Sequence, residues 1–155
     1  TAYGNVVDGS KIGVYIGNKG AEQSSNVFNN TFTDCSYAGV LFLSTAVMTT
    51  NLIRNNIFTG PASTPSVRVA GGQMTSESNN CYYGFGAPIG HTLHPSNITV
   101  NPELDADYRP GTPELVRSAT YLGGKDFNSK HFYNPPNYGA VDDVSATPRY
   151  LLMKP

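Results

Sequence analysis

Apolar and polar residues alternate in short runs through the first half of the chain. The pattern is clearest in three stretches, GVYIG at 13–17, GVLFL at 39–43 and SVRVA at 66–70. A period of two predicts β-strands with one buried face, because successive side chains of a strand point to opposite sides. The second and fourth residues of each stretch would face inward and the third would face outward. The predicted outward residues are Tyr15, Leu41 and Arg68.

These stretches belong to an internal repeat of about 25 residues. An asparagine-rich motif recurs in phase with them, as NNTFT at 29–33, NNIFT at 55–59 and NNCYY at 79–83. The asparagine motif recurs at shifts of 26 and 24 residues, and the strand stretches recur at 26 and 27. Residues 5–8 (NVVD) resemble a weaker, earlier copy. Two motifs that share one period predict a repeat architecture.

Strand-forming repeats of this length predict a stack of coils, because one coil cannot bury its own apolar face. Leucine-rich repeats have a similar period, but their leucine frame is missing here. We therefore predict an all-β fold, a right-handed parallel β-helix (solenoid) with an irregular C-terminal cap. Residues 1–83 would form about four coils, as though truncated at the N-terminus. Residues 84–155 would hold the last strand or strands and the capping tail.

The repeated asparagines are predicted to be structural. Asparagine tolerates the left-handed backbone of a tight turn. If Asn30, Asn56 and Asn80 align, their side chains form a hydrogen-bonded ladder up the stack. The aromatic residues two positions further on are expected to stack in the core, where they cannot serve as a sugar platform. These residues are Phe32, Phe58 and Tyr82.

Composition narrows the class of function. A net charge of -1 and a charged fraction of 14% argue against a nucleic-acid surface, which needs a basic excess. No stretch approaches the roughly 20 apolar residues of a membrane-spanning helix. Cys35 and Cys81 fall at different points of the repeat, about two coils apart. That separation predicts buried free thiols rather than a disulfide.

The segment after the repeats carries a family resemblance. Residues 101–113 (NPELDADYRPGTP), 124–130 (GKDFNSK) and 135–142 (PPNYGAVD) resemble the closing segments of secreted bacterial right-handed β-helix proteins of the pectate-lyase-like superfamily. That superfamily includes polysaccharide lyases, glycoside hydrolases, uronan epimerases, phage tailspikes and adhesins. The resemblance implies the fold and a long polysaccharide that lies along one outer sheet. It does not fix the activity, since function belongs to sites grafted on a fold.

Cationic and aromatic residues are the candidates for contact with a polysaccharide. Elimination at a uronic acid needs a base for the C5 proton, a cation for the carboxylate and an acid for the leaving group. The predicted substrate-binding residues are Tyr15, Arg68, Arg54 and Lys19. The stripe that contains Tyr15 and Arg68 could equally be an ordinary exposed face. Arg54 could instead bond a neighbouring coil.

The sequence offers no complete catalytic set, and the catalytic residues stay unknown. Hydrolysis needs two carboxylates at one bond, and Asp34 and Glu77 do not share a position in the repeat. His91 and His94 could form a metal pair on a helical turn, but Pro95 follows and no third ligand is near. We predict no metal and no cofactor in this chain. Any Ca²⁺ would belong to an upstream site.

Two classes of function stay open. The first is the C-terminal part of an extracellular carbohydrate-active β-helix protein that binds or cleaves, by lyase-type chemistry, an acidic polysaccharide. The alternative is a non-enzymatic structural or adhesive module, such as a phage tailspike segment or a surface adhesin.

The expected partners are a polysaccharide and either the upstream part of the same protein or a partner chain over the open N-terminal coil. Nucleic acid and membrane insertion are not expected. The predicted location is secreted, extracellular or at the cell surface.

Overall fold

The computed structural model describes residues 1–18, 24–44, 50–71, 76–90, 92–116, 119, 122 and 137–141. Across these ranges the fold is all-β, and the helical structure there is a single 3₁₀ turn at Pro113–Leu115. No helix in these ranges is long and apolar enough to cross a membrane. The strands are β1 (Ala2–Tyr3), β2 (Val6–Asp8), β3 (Ile12–Asn18), β4 (Ser24–Phe28), β5 (Thr31–Thr33), β6 (Ala38–Ser44), β7 (Thr50–Arg54), β8 (Ile57–Thr59), β9 (Val67–Gly71), β10 (Ser76–Ser78) and β11 (Cys81–Tyr83).

The strands pair in parallel and form three sheets. The first sheet has the order β1-β4-β7-β10, the second β2-β5-β8-β11 and the third β3-β6-β9. Every third strand therefore returns to the same sheet, one position further along. This arrangement confirms the predicted all-β fold with parallel sheets and is consistent with a β-helix-like solenoid.

The pairing register follows the sequence repeat. In the second sheet Thr31 pairs with Ile57, and Ile57 pairs with Cys81. In the third sheet Val40 lies between Val14 and Val67. The weaker copy at residues 5–8 is a coil as well, since β2 pairs with β5 along its whole length.

Side chains that the alternation assigned to the interior fill the core. Val40, Phe42 and Val67 are buried, and their counterparts on β3 and the end of β9 pack half-buried against the same cluster. The predicted aromatic stack is present, with 4.9 Å between the ring centroids of Phe32 and Phe58. The centroids of Phe58 and Tyr82 are also 4.9 Å apart. Because the three rings stack in register with the coils, they form one continuous aromatic column in the core.

The first asparagine of each pair makes the turn. Asn29, Asn55 and Asn79 have positive φ angles of 52°, 59° and 53°. This left-handed region is costly for most residues and is tolerated best by glycine and asparagine. Gly4 takes the equivalent position in the first coil, with φ of 58°.

The second asparagine of each pair builds the predicted ladder. Beginning with Asn5, each asparagine donates from its backbone N–H and its side-chain amide to Oδ1 of the asparagine one coil later, so the acceptors are Asn30, Asn56, Asn80 and Asn97. The backbone bonds are 2.9–3.0 Å and the amide bonds are 2.9–3.5 Å. The ladder extends beyond the predicted residues at both ends. Its members are Asn5, Asn30, Asn56, Asn80 and Asn97.

The stack continues past residue 83, in the segment where the sequence predicted the last strand or strands. Ile98 bridges Cys81 in parallel, and the N–H of Tyr82 donates to the carbonyl of Ile98 at 2.8 Å. Ile89 bridges Arg68 in the same way. Both pairings are single bridges. A single bridge needs no run of alternating apolar residues, so the sequence around it shows no strand pattern.

The described part of the tail packs along the flank of the stack. Leu115, Ala119 and Tyr138 form a buried cluster with Ile57 and Cys81. The second sheet carries apolar residues on its outer face, and covering them removes this area from water. The tail is fixed by backbone bonds, since Gly139 N–H donates to Asn55 O at 2.8 Å.

Both cysteines are buried and free, as predicted. Burial raises the pKa of Cys35 to about 11 and that of Cys81 to about 12. The thiol of Cys81 donates to the carbonyl of Val100 at 3.3 Å. Both residues therefore act as small apolar side chains at neutral pH.

Candidate functional site

The outer face of the third sheet carries one column of aligned side chains. Tyr15 pairs with Leu41, Leu41 with Arg68, and Arg68 with Ile89. We call these four residues the outer column. Neighbouring members are separated by one strand spacing, about 4.8 Å. The column therefore runs along the stack axis, in the place that the sequence predicted for Tyr15 and Arg68.

Tyr15 lies flat on the sheet at one end of this column. A Cβ added at Gly17 would fall 2.5 Å from Cε1 and from Oη of Tyr15, so the ring covers Gly17. The residue is nevertheless 57% exposed. Glycine at position 17 thus lets an aromatic ring rest on the backbone and present its other face to solvent.

Leu41 departs from the prediction. It occupies the outer column, yet it is only 5% exposed. Tyr15 and Arg68 flank it in register, one strand spacing away on either side. Two apolar residues of this face do reach solvent: Ile89, at the end of the column, is 45% exposed, and Leu43, beside the column, is 48% exposed.

Arg68 contacts a second tyrosine that sequence reasoning missed. The guanidinium carbon of Arg68 lies 4.9 Å from the ring centroid of Tyr37, within the range of a cation–π interaction. Tyr37 immediately precedes β6 and is 37% exposed. It falls just before the alternating stretch, so periodicity gives no signal for its position.

Arg54 does not join this site. It ends β7 in the first sheet, in register with Phe28 and Ser78, whereas Tyr15 and Arg68 belong to the third sheet. Its Nε is buried, and no described residue hydrogen-bonds to that atom. Lys19 lies outside the described residues.

Glu77 is a buried carboxylate whose role the repeat pattern does not reveal. It occupies the inward column of the first sheet, in register with Ile53, and is 4% exposed. Its Oε2 accepts from Tyr82 Oη at 3.1 Å and from Asn80 Nδ2 at 3.1 Å. Asn97 Nδ2 donates to both carboxylate oxygens, at 2.6 and 2.8 Å, and His94 N–H donates to Oε1. Glu77 therefore closes the C-terminal end of the asparagine ladder.

Asp34 and Glu77, the two acidic residues that the sequence compared, lie in different environments. Asp34 is exposed in a turn with φ of 50°, whereas Glu77 is buried. Asp105 stabilises a turn, since its Oδ1 accepts from the N–H groups of Asp107 and Arg109.

Among the described residues no group of three His, Cys, Asp or Glu side chains could hold a metal ion. His91 lies outside them, and Nδ1 of His94 bonds Ser96 Oγ at 2.8 Å.

Asp8 joins the tail to the first coil. Thr33 Oγ1 donates to Oδ1 of Asp8, and Tyr108 Oη donates to Oδ2 at 3.0 Å. The bond from Thr33, followed by that from Tyr108, lowers the pKa of Asp8. Both bonds favour the ionised carboxylate.

The Asp8 contact predicts a pH-dependent contribution to stability. Because the folded-state pKa is depressed, the contribution is present above the unfolded pKa of about 3.9 and is lost as pH falls through the folded value. We expect Asp8→Asn to lower the melting temperature at pH 7, and this difference from the native chain should vanish as pH drops below about 4. Thermal melts across that range measure it. Asp34→Asn is the matched control, and an equal pH trend in both variants would contradict the assignment.

Comparisons of the chain with protein-family models, with curated proteins and with solved structures found no match. The resemblance to the pectate-lyase-like superfamily therefore remains a prediction from the closing segments.

Proposed function

We propose that this chain binds an acidic polysaccharide along the outer column of the third sheet. The observation that carries the proposal is the alignment of exposed Tyr15 with Arg68 on one face, one residue per coil. Aromatic faces pack against the apolar faces of sugar rings, and a guanidinium matches a carboxylate with two parallel donors. A straight column along a stack suits an extended polymer.

We propose the right-handed parallel β-helix as the architecture behind this surface. The recurring order of three sheets supports a solenoid. Parallel strands joined by crossovers are right-handed in about 98% of cases, which supports the hand. The resemblance of the closing segments to pectate-lyase-like proteins supports a secreted or cell-surface location.

Binding and lyase-type cleavage are both compatible with the proposal. The described outer column supplies a cation in Arg68 and a phenol in Tyr15, the residue types that an elimination uses for the carboxylate and for proton transfer. We propose polysaccharide binding for this surface, with much of any active site, and any Ca²⁺ ion, in a part of the protein upstream of these residues.

The alternative is a non-enzymatic adhesive or structural module, such as a tailspike segment or surface adhesin. The observation that favours it is the exposure of Ile89 in the outer column and of Leu43 beside it, which gives another chain an apolar surface to pack against. A concentration-dependent trimer would support this reading. Polysaccharide binding by a strict monomer would support the first.

The strands of the first coil leave one edge of each sheet unpaired among the described residues, which supports a partner that covers this edge. Within the described ranges, β1, β2 and β3 each pair with one neighbouring strand only. Val14 and Ile16 are half-buried, whereas their counterparts one coil later, Val40 and Phe42, are buried. We propose that either a preceding part of the same protein or a partner chain covers this edge.

The test is a binding panel of neutral and acidic polysaccharides, followed by variants. Tyr15→Ala is expected to weaken binding of the best ligand about three- to tenfold, because it removes one stacking surface. Tyr83→Ala is the matched control, since Tyr83 is 40% exposed but lies on β11 in the second sheet. Absence of binding across the panel, or equal losses in both variants, would overturn the proposed surface.

A further inference from the structure

We infer that the unpaired edge of the first coil is a docking surface for one further coil of the same repeat, supplied by a preceding segment of the same protein. This coil carries an asparagine that donates to Oδ1 of Asn5. The inference rests on the proposal that this edge is covered and names what covers it. It does not depend on polysaccharide binding.

The asparagine ladder has a direction. Each described step runs from the backbone N–H and the side-chain amide of one asparagine to Oδ1 of the next. Oδ1 of Asn30, for example, accepts from Asn5 N–H at 3.0 Å and from Asn5 Nδ2 at 2.9 Å. Among the described residues, no group donates to Oδ1 of Asn5 itself. The first rung therefore presents an acceptor on the side away from the stack.

Asn5 already holds its side chain in the geometry of an interior rung. Its Nδ2 donates to the carbonyl of Tyr3, two residues earlier, at 2.8 Å. The amides of Asn30 and Asn56 donate in the same way to the carbonyls two residues before them, at 2.9 and 3.0 Å. Asn30 and Asn56 are fully buried, whereas Asn5 is exposed. The acceptor at the edge is thus fixed in position without a partner.

The rest of the edge fits a parallel coil. Within the described ranges, β1, β2 and β3 are each paired on one side, and such strands leave alternate N–H and C=O groups free on the other side. Val7 is half-buried against the core, whereas its partner in the second coil, Phe32, is fully buried. The docking coil should therefore place an apolar residue two positions after its asparagine, as each copy of the asparagine motif does.

A second copy of the described chain does not supply the donors that this edge needs. At the C-terminal end of the ladder, the side-chain amide of Asn97 donates to both carboxylate oxygens of Glu77. The N–H of Asn97 donates to the carbonyl of His94 at 3.1 Å. Copies stacked head to tail would bring this end to Asn5 with its donors already engaged. Copies stacked head to head would bring two acceptors together.

The direction of the ladder favours a segment of the same protein. In all four described steps the donor asparagine precedes the acceptor in the chain, by 17 to 26 residues. The strands of successive coils are parallel throughout the three sheets. A coil that donates to Asn5 takes the position of the earlier member in this series, and a connection of ordinary repeat length leads from it into β1.

The experiment adds such a coil to the full chain. A copy of residues 24–50 placed directly ahead of residue 1 sets its own asparagine 25 residues before Asn5, the spacing that separates Asn5 from Asn30. Asn30→Asp within the copy keeps the shape of the side chain and replaces its amide donors with a carboxylate. Asn26→Asp within the copy is the matched control, because Asn26 lies on β4 outside the ladder.

The added coil is expected to raise the melting temperature by about 5 °C and to slow hydrogen exchange at the amides of β2. At pH 7, Asn30→Asp within the copy should remove most of this rise. Its carboxylate would face Oδ1 of Asn5 and offer that oxygen no side-chain donor. Asn26→Asp within the copy should keep most of the rise.

Three outcomes would overturn the inference. Equal losses in the two aspartate variants would leave the edge covered but remove the ladder from its recognition. An unchanged melting temperature together with unchanged exchange in β2 would overturn the covered edge itself. The free peptide of residues 24–50 provides the last comparison. If it slows exchange in β2 and the fused copy does not, the occupant is a partner chain and not a preceding coil.

Discussion

Replacing Glu77 with alanine is expected to lower the free energy of unfolding by about 3–5 kcal/mol, a large part of the stability of a small domain. The substitution leaves the donors on Tyr82, Asn80 and Asn97 buried without their acceptor. It also opens a void at the end of the core. Burial, and after it the charge of Glu77, raises the pKa of Tyr82 well above its usual value, so the phenol remains a donor at neutral pH.

Denaturant unfolding of the native chain and the variant measures this loss. Glu77→Gln should cost less than Glu77→Ala, because glutamine keeps the shape of the side chain and one acceptor oxygen. Some loss of stability should remain, because the new amide group of glutamine faces the amide donor of Asn97. Glu103→Gln is the matched control, since the Glu103 side chain is exposed. A loss of about 1 kcal/mol or less in Glu77→Ala would show that water replaces the carboxylate and that the network is not a structural closure.

Replacing Asn56 with alanine is expected to lower the free energy of unfolding by about 2–4 kcal/mol. Asn56 stands at the centre of the ladder and is fully buried. Its amide donates to Val27 O at 2.9 Å and to Asn80 Oδ1 at 2.9 Å, and its Oδ1 accepts from Asn30 N–H at 2.9 Å. Alanine satisfies none of these groups, and the protein interior offers no substitute partner.

Asn26→Ala is the control for this measurement, because Asn26 is a half-buried asparagine on β4 outside the ladder. Its loss should be about 1 kcal/mol or less. If the two alanine variants unfold at the same denaturant concentration, the ladder contributes no more than any asparagine on a strand. A graded result, with Asn80→Ala close to Asn56→Ala, would support cooperation between neighbouring rungs.

The order of the core also determines the geometry of the proposed binding surface. The ladder and the aromatic stack fix the register from one coil to the next, and that register aligns Tyr15 with Arg68. A shift of one residue between coils would send alternate side chains to the opposite face. The outer column is therefore a consequence of interior order, and losses at Glu77 or Asn56 would be expected to weaken polysaccharide binding indirectly.

The sequence by itself determined the repeat and everything that follows directly from it. Two motifs with one period were sufficient for the parallel strands, the inward valines, the aromatic stack and the central rungs of the ladder. The free thiols followed from spacing alone. These features are local or recur at a fixed interval, so a pattern along the chain carries them.

Only the tertiary structure decided the features that join residues with no common period. Asn97 adds a rung to the ladder outside the repeated motif, and Tyr37 meets Arg68 from outside the alternating stretch. Leu41 is buried although its position in the alternation faces outward. Arg54 separates from Tyr15 because the two lie on different sheets. Periodicity specifies which face of the strand a side chain takes. Its burial depends instead on neighbouring side chains, which lie about 25 residues away in the sequence but only one strand spacing away in space.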